Sequence, residues 1–203
     1  MRRFFDRDDT KWRRLDGALH FYVCPPPGDA LFAAYEAAAR SLEPIEELAV
    51  QPAEYLHMTM QRLDAYPDEI GGDAWATALG RIGESVAALE PFDVEFEAPR
   101  ANTHAVEAVG APSASWAALL DGLRRAFLSA GLGDVLMAPP YGPHYTVAYC
   151  LDDTAAEPVS RALQRAARRS SMRVDRVSLV AVDQRPEQGI FTFDTLREWT
   201  LDG

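Results

Sequence analysis

Two short stretches of this chain place an imidazole and a hydroxyl two residues apart: His57-Met58-Thr59 and His144-Tyr145-Thr146. Both lie in runs that read as strands, residues 55–61 and 143–149. Alternate side chains of a strand share a face, so each stretch aims a proton carrier and a short hydrogen-bonding group at one target. The sequence holds four histidines and nine threonines among 203 residues. By chance, two or more of those histidines would carry Thr two places on in about 1 chain in 90. The repetition therefore merits a chemical reading. The plainer reading is two half-buried strand histidines beside Thr residues of ordinary β-propensity.

Two imidazoles held on opposite sides of a substrate suit concerted acid–base catalysis. With an unperturbed pKa near 6.5, one can be neutral and take a proton while the other is charged and gives one. The hydroxyls suit non-bridging phosphoryl oxygens. Phosphoryl transfer asks mainly for positioning and charge stabilisation, so these four groups suffice in principle without a metal or cofactor. No Gly-rich phosphate loop, Cys-x-x-Cys, His-Glu-x-x-His or nucleophile elbow occurs. A metallohydrolase using the His pair is a weaker reading, because neither motif has an Asp or Glu beside it. From a different class, a non-catalytic module binding a nucleotide or an RNA end in the same cleft stays open as the alternative.

Strand parity points both pairs at a common cleft. In the first arm Leu56, Met58 and Met60 alternate against His57, Thr59 and Gln61. In the second, Tyr145, Val147 and Tyr149 alternate against His144, Thr146 and Ala148. On the strand Leu19–Cys24, His20 and Tyr22 have the disposition of the His-Thr face and extend the cleft. Tyr22 and Tyr141 offer surfaces on which a nucleobase could stack, with ordinary packing as the alternative for each. Arg62 has the parity of the apolar face and is not assigned to the phosphate. His104 lacks a Thr two places on and reads as a surface or strand-end residue. Cys24 and Cys150, the only cysteines, read as reduced structural thiols.

The positioning elements follow from pattern and punctuation. After the first strand, Pro25-Pro26-Pro27-Gly28-Asp29 makes a break and residues 30–42 an Ala-rich helix. The first His strand spans 54–63, a helix 73–89, and two strands 92–97 and 104–109. Ser113 reads as the N-cap of a helix to about 130, closed by Gly131. The second His strand is followed by a helix over 154–170, striped with Arg161, Arg165, Arg168 and Arg169. A strand over 173–182 and a hairpin of 189–193 with 198–201 close the chain. Residues 1–16 are polar without a period and read as a loose leader or a packed-down arm. Residues 17–203 read as one α+β domain with two lobes, since no long linker intervenes. The strand–helix–His strand–helix order occurs twice, which suggests a duplicated architecture.

Composition narrows the ligand. The net charge of −11 disfavours duplex DNA or another long nucleic acid, because phosphate neutralisation supplies most non-specific affinity. Residues 1–157 carry 12 basic and 25 acidic side chains, a net of −13; residues 158–203 carry 8 and 6, a net of +2. A small anionic ligand fits better. No apolar run approaches a membrane span and no export signal is legible at the start, so a cytoplasmic protein is expected.

These residues carry a resemblance. Leu56-His57-Met58-Thr59-Met60 and Pro143-His144-Tyr145-Thr146-Val147-Ala148-Tyr149 resemble the two signatures of the 2H phosphoesterase superfamily, which includes 2′-5′ RNA ligase-like proteins and cyclic nucleotide phosphodiesterases. The likeness covers nearly all the chain beyond its first 15 or so residues. It implies a bilobal, pseudo-twofold α+β fold with two mainly antiparallel sheets, outer helices and a central cleft. It implies His57 and His144 as the acid–base pair and Thr59 and Thr146 as phosphate ligands. It also implies metal-independent action on a 2′,3′-cyclic phosphate, or a related 2′-5′ phosphodiester, of a nucleotide or RNA end, by a protein expected to be a monomer. One departure stands out: many members carry an apolar or aromatic residue and then Gly shortly after the first motif, where this chain has Gln61-Arg62-Leu63-Asp64.

Overall fold

In the computed structural model, which describes residues 1–203, the chain forms four helices and three antiparallel sheets, an α+β fold. The strands are β1 (Ala18–Val23), β2 (Leu48–Val50), β3 (Met58–Arg62), β4 (Phe92–Phe96), β5 (Arg100–Ala101), β6 (Ala105–Val109), β7 (His144–Cys150), β8 (Ser170–Val174), β9 (Arg176–Arg185) and β10 (Ile190–Thr200). The helices are α1 (Leu31–Leu42), α2 (Gly72–Ala87), α3 (Ala114–Ser129) and α4 (Ala156–Ala166). One sheet runs β10-β9-β1-β3, a second β2-β7-β6-β5, and β4 with β8 makes a third.

Each helix buries a stripe at three- and four-residue spacing, as a one-sided core contact requires. For α1 the stripe is Leu31, Ala34, Tyr35, Ala38, Ala39 and Leu42; for α2 it is Trp75, Ala78, Ile82 and Val86. The Ser113 hydroxyl accepts the Trp116 amide at 3.1 Å and starts α3. Gly131, at φ +76°, lets the chain turn just beyond the other end of α3.

The two strand–helix–strand–helix units interlock. In the first, β1 and β3 pair in the first sheet and α2 packs beside them against β10, while α1 crosses to β2 and β7. In the second, β6 and β7 pair in the second sheet with α4 against β5, while α3 crosses to β3. Each unit thus covers one face of the other's sheet, a pseudo-twofold exchange that leaves both His strands facing a shared cleft.

Several elements differ from their sequence-based bounds. The first His arm opens as a turn of 3-10 helix at Ala53–Tyr55, so β3 begins at Met58 and His57 stands at its threshold. The Arg-striped helix ends at Ala166; Arg169 instead reaches Glu97 beside β4 at 2.8 Å, and residues 170–174 extend as β8. The expected strand over 173–182 is two, divided at Asp175, because β8 pairs with β4 and β9 with β1. The closing hairpin of 189–193 with 198–201 is a single strand, β10, paired along β9 with an irregularity between Thr195 and Arg197. The short β2 and β5 carried no legible pattern and exist by pairing with β7 and β6.

Residues 1–16 lie across one end of the cleft. On the second-sheet side the Arg2 amide donates to the Thr103 carbonyl at 2.7 Å and the Arg3 amide to Asp153 at 2.9 Å. On the first-sheet side Arg13 bonds Asp64 at 2.8 Å and Glu69 at 2.9 Å, and the Arg14 amide bonds the Tyr66 hydroxyl at 2.9 Å. Between these ties Phe4 is buried against Tyr149 of one sheet and Phe191 of the other, ring centroids 4.4 and 6.0 Å away. No helix is long and apolar enough to cross a membrane.

Candidate active site

A cavity of about 290 Å³ opens between the two sheets, and His57, Thr59, His144 and Thr146 all line it. The local geometry of the two arms is nearly the same. His57 Nδ1 lies 2.8 Å from the Tyr55 carbonyl, and His144 Nδ1 lies 2.9 Å from the Gly142 carbonyl. A carbonyl can only accept, so each Nδ1 carries the proton. In a neutral ring the lone pair is therefore on Nε2. A tyrosine stacks on each imidazole: Tyr22 on His57 at 3.9 Å with planes 8° apart, and Tyr141 on His144 at 4.5 Å and 13°. Each His is thus held by a carbonyl two residues back and by an aromatic face, which fixes tautomer and orientation together.

Parity past each Thr is reversed, and a β-bulge is the cause. Tyr22 pairs with Thr59 and Phe21 with Gln61, so Met60 is an extra residue opposite no partner. The next residues change sides. Gln61 turns into the core, donating to the Met137 carbonyl at 2.8 Å and accepting from Arg124 at 2.6 Å. Arg62 turns into the cavity, contrary to its plain alternation. The second arm repeats the device: Glu107 pairs with Thr146 and Val106 with Ala148, leaving Val147 as the extra residue. Ala148 joins the core and Tyr149 lines the cavity, the reverse of the expected arrangement. The cavity faces therefore read His57-x-Thr59-x-x-Arg62 and His144-x-Thr146-x-x-Tyr149.

The remaining sequence candidates divide. His20 lines the cavity but is buried, its Nδ1 3.0 Å from the Tyr22 hydroxyl. Burial, with Arg62 and His57 adding to it, holds His20 well below the usual histidine pKa, so it is neutral. Tyr22 is buried with one face covered by His57, which makes it a support for that ring. Tyr141 is 67% exposed and its hydroxyl donates to Glu107 at 3.0 Å. His104 is a turn residue whose Nδ1 lies 3.2 Å from the Arg2 carbonyl. Cys24 and Cys150 are unpaired, and Cys150 is buried.

Electrostatics fix the charge of the first catalytic candidate. Desolvation pushes His57 down to about 4; its bond to the Tyr55 carbonyl opposes this, and the neighbouring His144 adds to it. His57 is therefore a neutral ring at pH 7 with its Nε2 lone pair free to accept. Sequence reasoning missed Arg62 and Tyr149, which the bulges turn inward. It also missed Glu107 and five arm residues on the cavity wall: Phe4, Arg7, Asp9, Thr10 and Trp12. The only signal for the arm was three aromatic residues, Phe4, Phe5 and Trp12, in an otherwise polar stretch.

The model of the 2′-5′ RNA ligase superfamily matches residues 25–186, most of the chain. The chain belongs to this superfamily. Membership bears out the 2H phosphoesterase resemblance of the paired motifs, and the arm lies outside the matched residues. The fold is similar to that of TT0787 of Thermus thermophilus: 18% identity, 92% of this chain and 98% of that one covered, TM-score 0.64. It is similar to that of Escherichia coli LigT complexed with 3′-AMP: 18% identity, 93% and 99% covered, TM-score 0.64. The MHV ns2 PDE domain matches at 14% identity, 81% and 98% coverage and TM-score 0.55. At such identities the likeness is one of fold. No curated protein sequence matches the chain.

Proposed function

We propose that this 2′-5′ RNA ligase superfamily member is a metal-independent phosphodiesterase opening a 2′,3′-cyclic phosphate, or a related 2′-5′ linkage, on a nucleotide or RNA end. One observation carries the reading: in a single cavity, two imidazoles each present Nε2 while Nδ1 is tied to a carbonyl, and each has a hydroxyl two residues on. Solved LigT structures with 3′-AMP, with NADP+ and with ATP support a nucleotide as the ligand class.

Neutral His57 acts as the base. Its Nε2 takes a proton from water as the water oxygen attacks phosphorus. The anionic phosphate raises the basicity of His57 on binding, since a nearby negative charge favours the imidazolium. His144 acts as the acid, giving its Nε2 proton to the ribose oxygen as the phosphorus–oxygen bond breaks. Thr59 and Thr146 hydrogen-bond the non-bridging oxygens, and Tyr141 offers its outer face to the base. Unpaired thiols fit a reducing compartment such as the cytoplasm, and a monomer is the working unit proposed.

The test is turnover of 2′,3′-cyclic nucleotides with and without chelator. Activity should survive chelation and fall by about 10²–10⁴-fold in His57→Ala and in His144→Ala. Because kcat/KM reports the free enzyme, its acid limb should follow His57 and fall only as pH drops toward about 4. Saturable nucleotide binding without turnover would instead favour a binding module. Undiminished activity in both His variants would sink the assignment.

A further inference from the structure

The half-sites match at His, Thr and the stacked Tyr but diverge five residues after the His, where one has Arg62 and the other Tyr149. On the second side a cation arrives from elsewhere. The Arg7 guanidinium lies over Phe4, 4.9 Å from the ring centroid, and Phe4 packs on Tyr149. Arg7 and Arg62 are the only guanidinium groups on the cavity wall, and Asp9 lies between them. One Asp9 oxygen is 2.7 Å from Arg7 Nη2 and 3.7 Å from Arg62 Nη1. An anionic oxygen shared by two guanidinium groups is an arrangement that phosphoryl oxygens also adopt. The Asp9 side chain is 40% exposed, so it can turn out to water when another anion arrives.

We propose that Arg7 and Arg62 form a second anion site, which binds a phosphoryl group other than the one held between the two His-Thr pairs and for which the Asp9 carboxylate competes. The proposal rests on the reading that the cleft takes a nucleotide phosphate. The ligand class it names is a nucleotide or oligonucleotide end carrying a phosphomonoester in addition to the reacting group. A phosphodiester brings one negative charge; a phosphomonoester adds up to two more, and these two arginines are the permanent cations the cavity has to meet them. Arg7 belongs to the arm, which lies outside residues 25–186 of the family match.

The experiment is calorimetric titration of the full chain with adenosine 3′,5′-bisphosphate and with 3′-AMP. The wild type should prefer the bisphosphate by about tenfold or more, as one charge-assisted contact supplies. Arg7→Gln should bring that ratio to about two or below, and Arg7→Lys, which keeps the charge, should retain part of it. Asp9→Asn should widen the ratio, and added salt should narrow it. Equal binding of the two nucleotides by the wild type, no binding of either, or an equal loss of both in Arg7→Gln would overturn the proposal. The last result would mark Arg7 as mere packing for the arm. Turnover is not read, so a protein that keeps the preference yet opens no cyclic phosphate would sink the catalytic reading and leave this one standing.

Discussion

At the scale of single residues, each half-site is a histidine fixed on two sides. The carbonyl of residue i−2 sets which nitrogen carries the proton, and the stacked tyrosine sets the ring plane. On the proposed mechanism each imidazole is a proton-transfer partner, so His57→Ala and His144→Ala should each lower kcat by about 10²–10⁴-fold. Single-turnover kinetics alongside the melting temperature would check that chemistry rather than folding is lost. Tyr22 makes a finer test. Tyr22→Leu removes the face under His57 and should lower kcat while KM moves little. Tyr22→Phe keeps the ring, gives up only the hydroxyl beside His20, and should retain most of the rate. Equal kcat in Tyr22→Leu and the wild type would show that the stack has no positioning role.

Among the elements, the bulges at Met60 and Val147 matter most, since a one-residue insertion opposite the partner strand swaps the faces of everything after it. The same insertion in both arms turns the fifth residue beyond each His, Arg62 or Tyr149, into the cavity. Behind the first sheet, α2 and α3 approach so closely at Gly122 that an added Cβ would stand 2.3 Å from Ser85 Oγ. Gly122→Ala should therefore make the Ser85 hydroxyl turn away or the helices part, at a cost of up to about 3 kcal/mol, several degrees of melting temperature for a chain this size. Pairing it with Ser85→Ala removes the clashing hydroxyl and leaves the Ser85 Cβ at 3.3 Å, so the double variant should recover most of the loss in thermal melts.

For the molecule as a whole, a buried and a half-buried imidazole on one cavity wall make stability depend on pH. His20 and His57 are both held below the ordinary histidine value, chiefly by burial. Between pH 6.5 and about 4 the unfolded chain binds protons that the folded chain refuses, so unfolding gains ground as pH falls. The stabilisation is fully present above pH 6.5 and is lost progressively below it. Denaturant titrations should show the midpoint dropping from pH 7 to pH 5. His20→Phe, which fills the site with a ring that cannot be charged, should flatten that slope. An unchanged slope in His20→Phe would assign the effect to His57 and the surface carboxylates.

The chain by itself determined two imidazole–hydroxyl pairs in strand context, the α+β class and the bounds of α3 from Ser113 and Gly131. These were legible because they depend on residues within a few places of one another, where the period of a strand or the cap of a helix decides. Tertiary structure alone settled which side Arg62 and Tyr149 face, since a bulge is defined by a partner strand far away in sequence. It alone split residues 173–182 between two sheets, crossed α1 and α3 onto opposite lobes, and laid the polar first residues along the cavity wall. It also left His57 a neutral ring at pH 7. Nothing in the His57-Met58-Thr59 motif encodes that, because only surroundings gathered from the whole chain strip water from the ring.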